Sequence, residues 1–133
     1  MAVADGAGLP LAISIASAAR HELALVDATL DALFAPIGPA RLIGDKAYDR
    51  DALDARLRAG RGIEMMAPHR SNRRRPPTQE GRPLRRYRRR WRVERRNAWL
   101  QNFRCLVTRY EYHAENFLGF AQLGCIVVLL RPL

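Results

Sequence analysis

Two carboxylates of the sequence stand where an α/β protein could hold a divalent cation. Asp45 ends a short stretch, residues 41–45, that we predict to be a buried strand, and strand ends are where α/β sheets place ligands. Glu94 lies within an arginine-rich segment that we predict to be helical. Magnesium takes one or two carboxylates and keeps its other positions for water and phosphate oxygen. Two such ions about 4 Å apart would hold the attacking and leaving oxygens of a phosphodiester.

Glu94 has two companions with helical spacing. Tyr87, Arg90 and Glu94 stand at i, i+3 and i+7, which places the three side chains on one face of the predicted helix. Glu94 is also the only acid between Arg85 and Arg96, so it could equally balance charge in a helical network of ion pairs. The spacing leaves both interpretations open.

The chain is strongly basic, and its positive charge is concentrated in one segment. Among 133 residues, 23 basic side chains face 13 acidic ones, a net charge of +10. Residues 70–104 hold 14 arginines and two glutamates. Because arginine presents a planar, weakly hydrated donor fork, this segment predicts phosphate contacts, with a solvated charged face as the alternative. The arginines predicted to bind DNA are Arg73, Arg74, Arg75, Arg85, Arg86, Arg88 and Arg89.

Strands and helices alternate along the body of the chain, which indicates an α/β sheet with at least partly parallel strands. Hydrophobic period and turn residues define the elements. The predicted elements are a strand at 9–17 paired with residues 2–4, a helix at 22–34, a strand at 41–45, a helix with Asp49 as its N-cap, a strand at 63–67, a basic loop at 69–83, a long helix at 84–103 and a last helix at 116–130.

Length and composition exclude several classes of protein. A chain of 133 residues that is 48% apolar predicts one domain with a real core, not a disordered chain. Two cysteines cannot make a disulfide framework or a four-thiolate zinc site. The longest apolar run, residues 117–130, is too short to span a bilayer and predicts a buried helix. With no signal peptide evident, we expect a cytoplasmic protein without a membrane partner.

Two motifs surround the carboxylates, Gly44-Asp45-Lys46-Ala47-Tyr48-Asp49 and Tyr87-x-x-Arg90-x-x-x-Glu94. Together with Gly8-Leu9-Pro10-Leu11, their order and spacing resemble the DDE transposases of bacterial insertion sequences. The resemblance covers nearly the whole chain. It implies a truncated RNase H-like α/β fold, a mixed sheet with flanking helices and a basic C-terminal helical part. It also implies metal-dependent cleavage and transfer of DNA strands at the ends of the element.

The resemblance assigns a role to four residues of this chain. Asp45 matches the second catalytic aspartate and Glu94 the catalytic glutamate, so both are implied ligands of Mg²⁺ or Mn²⁺. Tyr87 and Arg90 match the tyrosine and arginine that accompany that glutamate. A further basic position of the family, seven residues after the glutamate, falls on Gln101 and is not carried over.

The start of the chain departs from the family pattern. The family's first catalytic aspartate lies on an earlier strand, and Asp5, in a glycine-rich turn, does not replace it. We therefore expect residues 1–133 to be the C-terminal part of a catalytic domain, incomplete or inactive by itself. DNA, a separately encoded N-terminal fragment and further copies of the chain are the partners to consider. The main alternative is a non-catalytic, arginine-rich nucleic-acid-binding protein, and a chain without selected function is a third.

Overall fold

A computed structural model gives the structure of the protein and describes residues 1–35, 37–74, 76–77, 87, 94, 98 and 100–130. The chain divides into two compact units. Unit one comprises residues 1–36 and 91–133, and unit two comprises residues 37–90. Among the described residues, each unit contains one two-stranded sheet.

A β-hairpin opens unit one. Strands β1 (Ala2–Ala4) and β2 (Pro10–Ile13) pair antiparallel, with Ala2 opposite Ile13. Asp5 shapes the turn because its Oδ1 accepts the backbone N–H groups of Ala7 and Leu9 at 2.9 and 2.7 Å. The predicted hairpin is confirmed, but β2 is shorter than the predicted strand at 9–17. The strand ends where Ser14 exchanges backbone hydrogen bonds with Met1, the residue that precedes β1.

The predicted helix at 22–34 is broken into shorter parts. A 3-10 turn (Glu22–Leu25) leads into α1 (Val26–Asp31), and no helix extends to Phe34. The chain instead returns to β2, where the N–H of Phe34 donates to the carbonyl of Leu11 at 2.7 Å. Thr29, fully buried, fixes α1 by donating to the carbonyl of Leu25 at 2.7 Å. Backbone pairing with β2 thus ends the helix early.

A long C-terminal helix packs on the hairpin. Among the described residues, α3 (Arg104–Val107) is followed by α4 (Ala114–Leu130), which starts two residues before the predicted helix. Ala121 and Cys125 of α4 form a core with Ile13. The prediction of a buried helix is wrong for the other face, where large apolar side chains are exposed. The exposed side chains are Phe120, Leu123, Ile126, Val127, Leu129 and Leu130.

The described helices also bear on membrane insertion. α4 has 17 residues, and no helix within the described ranges is long and apolar enough to cross a membrane.

Unit two is a strand–helix–strand motif. Strands β3 (Arg41–Ile43) and β4 (Glu64–Met66) pair parallel, with Leu42 opposite Met65. Between them, α2 (Asp51–Arg61) buries Leu53 and Leu57 and ends at Gly62, whose φ of +65° suits a residue without a Cβ. The parallel pairing that we predicted is confirmed, with each strand two residues shorter than expected.

The start of α2 corrects one prediction. Asp49 is not the N-cap of this helix, because Arg50 holds that position and makes no side-chain cap bond. Asp49 instead ends a 3-10 turn (Lys46–Tyr48), and its carboxylate bonds residues of the following loop. Local sequence favours aspartate as a cap, but the more distant partners hold this side chain.

Candidate functional site

Asp45 lies two residues beyond the end of β3, at the carboxyl end of the parallel pair. Its backbone is extended, and its Oδ1 accepts the N–H of Ala47 at 2.7 Å, which caps the 3-10 turn. Among the described residues, no hydrogen bond to its Oδ2 is found. A carboxylate with one oxygen open fits magnesium, which proteins bind through one or two carboxylates with water and phosphate completing the shell.

Gly44 explains why the chain can deliver Asp45 to this place. Its N–H donates to the carbonyl of Met66 at 2.9 Å and so extends the β3–β4 pairing. A Cβ at Gly44 would lie 2.9 Å from the ring of Tyr48 and would collide with the Met65 side chain. Only glycine fits between the strand and the turn, so the backbone before Asp45 is closely packed.

A cluster of charged residues follows directly, which we call the Asp49 cluster (Asp49, Asp51, His69, Arg70 and Arg73). Asp49 Oδ1 lies 2.9 Å from His69 Nδ1 and accepts Arg73 Nη1 at 2.8 Å. Its Oδ2 accepts the backbone N–H of Arg70 at 2.8 Å. The Asp49 side chain is only 6% exposed, so these bonds satisfy a carboxylate that has little access to water.

The pKa of Asp49 reflects this environment. Burial raises the pKa, but the hydrogen bonds from the Arg70 N–H and from His69, and the charge of Arg73, outweigh burial. The net pKa lies below the ordinary value of 3.8, so the carboxylate is ionised at neutral pH. Asp49 therefore contributes a fixed negative charge that faces the cationic Arg73 within the cluster.

The Arg70 side chain binds the turn that Asp45 caps. Its Nε donates to the carbonyl of Lys46 at 2.8 Å, and its Nη2 donates to the carbonyl of Ala47 at 3.0 Å. One guanidinium thus spans two consecutive carbonyls, which its planar fork allows. The loop that begins at His69 is joined in this way to the end of β3.

Two arginines predicted to bind DNA differ in their surroundings. Arg73 is only 11% exposed, and its Nη2 donates to Asp51 Oδ1 at 2.7 Å. That hydrogen bond, with the charges of Asp49 and Asp51, raises the pKa of the Arg73 guanidinium. Arg74 is exposed at an open groove of about 460 Å³ that Arg50, Arg70 and Arg73 also line. Of the pair, Arg74 is therefore the one presented to solvent.

The predicted long helix is described at only a few positions. Tyr87 and Glu94 are helical, Tyr87 half-buried and Glu94 exposed. Ala98 and Leu100 are also helical, whereas residues 101–103 are not, so the helix does not extend to the predicted Phe103, which is the N-cap of α3. Arg90 and the predicted DNA-binding residues Arg75, Arg85, Arg86, Arg88 and Arg89 lie outside the described residues.

The four predicted catalytic residues fall in both compact units. Of those that the structure describes, Asp45 and Tyr87 belong to unit two, and Glu94 belongs to unit one. Across the described ranges, no group of three or more histidine, cysteine, aspartate or glutamate side chains could hold a metal ion. Of the two predicted metal-binding carboxylates, Asp45 is the one whose local surroundings the structure describes.

Sequence reasoning missed the Asp49 cluster. Asp49 and Asp51 lie some 20 residues before His69, Arg70 and Arg73, and nothing in their spacing says which acid meets which base. The available signal was the placement of two acids before a loop rich in arginine. That signal predicts attraction but not these partners.

A family model described as transposase DDE domain matches residues 1–130. This chain belongs to the transposase DDE domain family. It is 34% identical over 139 residues to a protein of Burkholderia cepacia named as a transposase for insertion sequence element IS402. That match covers 98% of this chain and 62% of the relative, so the chain spans less than two thirds of the relative's length. No solved structure matches significantly.

Membership of the transposase DDE domain family confirms the resemblance drawn from the motifs around Asp45 and Glu94. The mixed α/β structure of the two units, with small sheets and helices, is compatible with a DDE transposase.

Proposed function

We propose that this chain takes part in DNA transposition, as the portion of a DDE transposase that carries Asp45 and Glu94. The observation that carries the proposal is the setting of Asp45 at the carboxyl end of β3, with Oδ1 bound by the Ala47 N–H and no hydrogen bond to Oδ2 from the part of the chain that the structure describes. Ligands in α/β proteins bind at this end of the strands. The substrate is DNA at the ends of an insertion sequence.

In this proposal Asp45 and Glu94 hold Mg²⁺ or Mn²⁺. The bound metal would polarise the scissile phosphate and activate its nucleophile. Asp45 contributes an oriented carboxylate, because the hydrogen bond from Ala47 engages one oxygen and leaves the second for the metal. Tyr87 and Arg90 would lie beside Glu94, and the guanidinium of Arg90 would bind the phosphate backbone of the DNA.

The RNase H-like arrangement is part of the same proposal. The parallel strand–helix–strand motif of unit two suits one edge of such a sheet, and residues 1–133 would form the C-terminal part of the domain. The family's first catalytic aspartate would come from another segment or chain. A separate N-terminal fragment or a second copy of the chain is the partner that the proposal implies, and DNA binding would place the protein at the nucleoid.

The arginine-rich segment supplies DNA affinity in this proposal. Arg74 would contact phosphate, since it is exposed at the groove. The sequence predicts the same role for Arg75, Arg85, Arg86, Arg88 and Arg89. For Arg73 the proposal adds a supporting role to the predicted DNA contact, because Asp49 and Asp51 bind its guanidinium. Arg73 holds the loop in place so that its neighbours can reach the backbone of DNA.

The test is Mg²⁺-dependent cleavage of a duplex that carries the ends of the element. The chain alone should not cleave, and addition of a fragment that carries the aspartate-bearing strand should restore cleavage. Asp45→Asn and Glu94→Gln should each abolish the restored activity. Asp45→Asn keeps an acceptor for the Ala47 N–H, so the loss would report on the carboxylate charge.

Asp5→Asn is the matched control. Like Asp45, Asp5 accepts the N–H of the residue two positions later, here Ala7 at 2.9 Å, but Asp5 does so in the hairpin turn of unit one. Cleavage should survive this substitution. Cleavage by the chain alone that survives Asp45→Asn would overturn the proposal. Tight DNA binding without any restored cleavage would favour the non-catalytic nucleic-acid-binding alternative.

A further inference from the structure

The turn that presents Asp45 is held from a distant part of the chain. Asp45 caps the 3-10 turn through Ala47, so the direction of its carboxylate depends on where that turn lies. The carbonyls of Lys46 and Ala47 are bound by the guanidinium of Arg70, 24 and 23 residues later. The turn therefore has a long-range support in addition to its own backbone hydrogen bonds.

Arg70 is itself oriented by the end of the same turn. Its backbone N–H donates to Asp49 Oδ2 at 2.8 Å, while its side chain reaches back to Lys46 and Ala47. The backbone and the side chain of Arg70 thus bind the two ends of the segment from Lys46 to Asp49. Arg73 fixes the other oxygen of Asp49 at 2.8 Å, which prevents that carboxylate from rotating away.

We propose that Arg70 is a positioning residue that sets the orientation of the Asp45 carboxylate and thereby couples the basic loop to metal binding. The inference rests on the proposed function, in which Asp45 is a metal ligand. Residues that orient metal ligands from the second layer typically change metal affinity about 10- to 100-fold when removed. A movement of the basic loop on DNA binding would then change the orientation of the Asp45 carboxylate through the Arg70 side chain.

The experiment uses the full 133-residue chain and Mn²⁺ as the probe. Paramagnetic broadening of the Gly44 and Ala47 amide resonances reports occupancy beside Asp45 during a titration. Arg70→Ala should weaken Mn²⁺ binding there about tenfold or more. Arg70→Lys, whose ammonium can reach one carbonyl but not fork across both, should recover part of the loss.

Arg58→Ala is the matched control for the change in charge. Arg58 is an exposed residue of α2 in the same unit, 3.8 Å from Asp54, and its removal should leave Mn²⁺ affinity within about twofold of the parent, as expected of a surface pair. Amide hydrogen exchange without metal provides a second measurement. In Arg70→Ala the Ala47 N–H should exchange about tenfold faster, while the amides of β4 keep their protection.

The outcomes separate the two proposals. Mn²⁺ broadening that Asp45→Asn does not alter would overturn the proposed function and this inference with it. Broadening that depends on Asp45 but is equally strong in Arg70→Ala would overturn the positioning role alone. If Arg70→Ala does not fold, Arg70→Lys decides, since it retains one of the two bonds, and parental affinity in that variant would contradict the inference.

Discussion

The buried carboxylate of Asp49 should be one of the largest single contributors to the stability of unit two. Asp49→Ala removes the acceptor for the Arg70 N–H, His69 and Arg73 at once, at distances of 2.8 to 2.9 Å. Hydrogen bonds to a charged group contribute about 1.5–3 kcal/mol each, and removing one member of a buried ion pair costs about 3–5 kcal/mol. Arg73 retains Asp51, which limits the loss. We expect Asp49→Ala to lower the free energy of unfolding by about 3 kcal/mol.

Urea titration followed by the amide resonances of β3 and β4 measures this loss in unit two. With an m-value of about 2 kcal/mol per molar, the midpoint should fall by about 1.5 M. Arg41→Ala is the control, because Arg41 meets Glu64 at 2.9 Å through side chains that are 52% and 42% exposed, and its loss should cost no more than about 1 kcal/mol. Equal midpoints for the two variants would refute the reasoning.

The same carboxylate sets a pH dependence whose sign follows from its lowered pKa. The folded state holds the proton on Asp49 less tightly than the unfolded chain does, so ionised Asp49 stabilises the fold above the ordinary pKa of 3.8. That stabilisation should disappear as the pH falls from about 4 through the folded-state pKa. In Asp49→Ala, acid should therefore reduce the stability of unit two less steeply than in the parent, and an identical acid profile would contradict the assignment.

Three further predictions test the packing and the charge. Gly44→Ala should destabilise unit two by about 1–3 kcal/mol, because the added Cβ would collide with Met65 and Tyr48. Gly60→Ala should stabilise the same unit by about 0.5–1 kcal/mol, because Gly60 lies in α2 with open space around it. Thermal unfolding of the two variants distinguishes these effects. Thr29→Val should cost about 1–2 kcal/mol in urea unfolding, because Ser14 Oγ loses its partner at 2.6 Å. If about six to ten arginines touch phosphate, DNA affinity should fall about 10³–10⁵-fold between about 50 and 200 mM salt. Arg74→Ala should reduce the slope of log affinity against log salt by about one. A DNA affinity that does not change with salt would rule out phosphate contact.

Much of the local structure could be predicted from the sequence. The hairpin around Asp5 and the parallel strands on either side of α2 follow from turn residues and from short apolar stretches, which act over a few neighbours. The motif around Asp45 likewise indicates the family through six consecutive residues, Gly44 to Asp49. The hairpin and the motif join near neighbours, so local preference and tertiary structure agree. The parallel pairing joins Arg41 to Glu64, 23 residues later, but it follows from the alternation of strand, helix and strand along the chain.

What the sequence did not predict depends on long-range partners. Asp49 has the residue type and position of a helix cap, yet its bonds go to His69, Arg70 and Arg73, at least 20 residues away. α4 is apolar on all sides, a pattern typical of a buried helix, but only the face with Ala121 and Cys125 meets the hairpin. The sequence pattern of α4 shows how hydrophobic each face of the helix is, but it does not show which faces other parts of the fold cover.

The central claim is that Asp45 holds the metal. Fe²⁺ can replace Mg²⁺ at oxygen-rich sites, and with ascorbate and peroxide it generates radicals that cut the backbone beside the bound ion. Mass spectrometry of the fragments should show cuts next to residue 45 that excess Mg²⁺ suppresses, that Asp45→Asn eliminates and that Asp5→Asn leaves intact. An unchanged fragment pattern in Asp45→Asn would contradict the account.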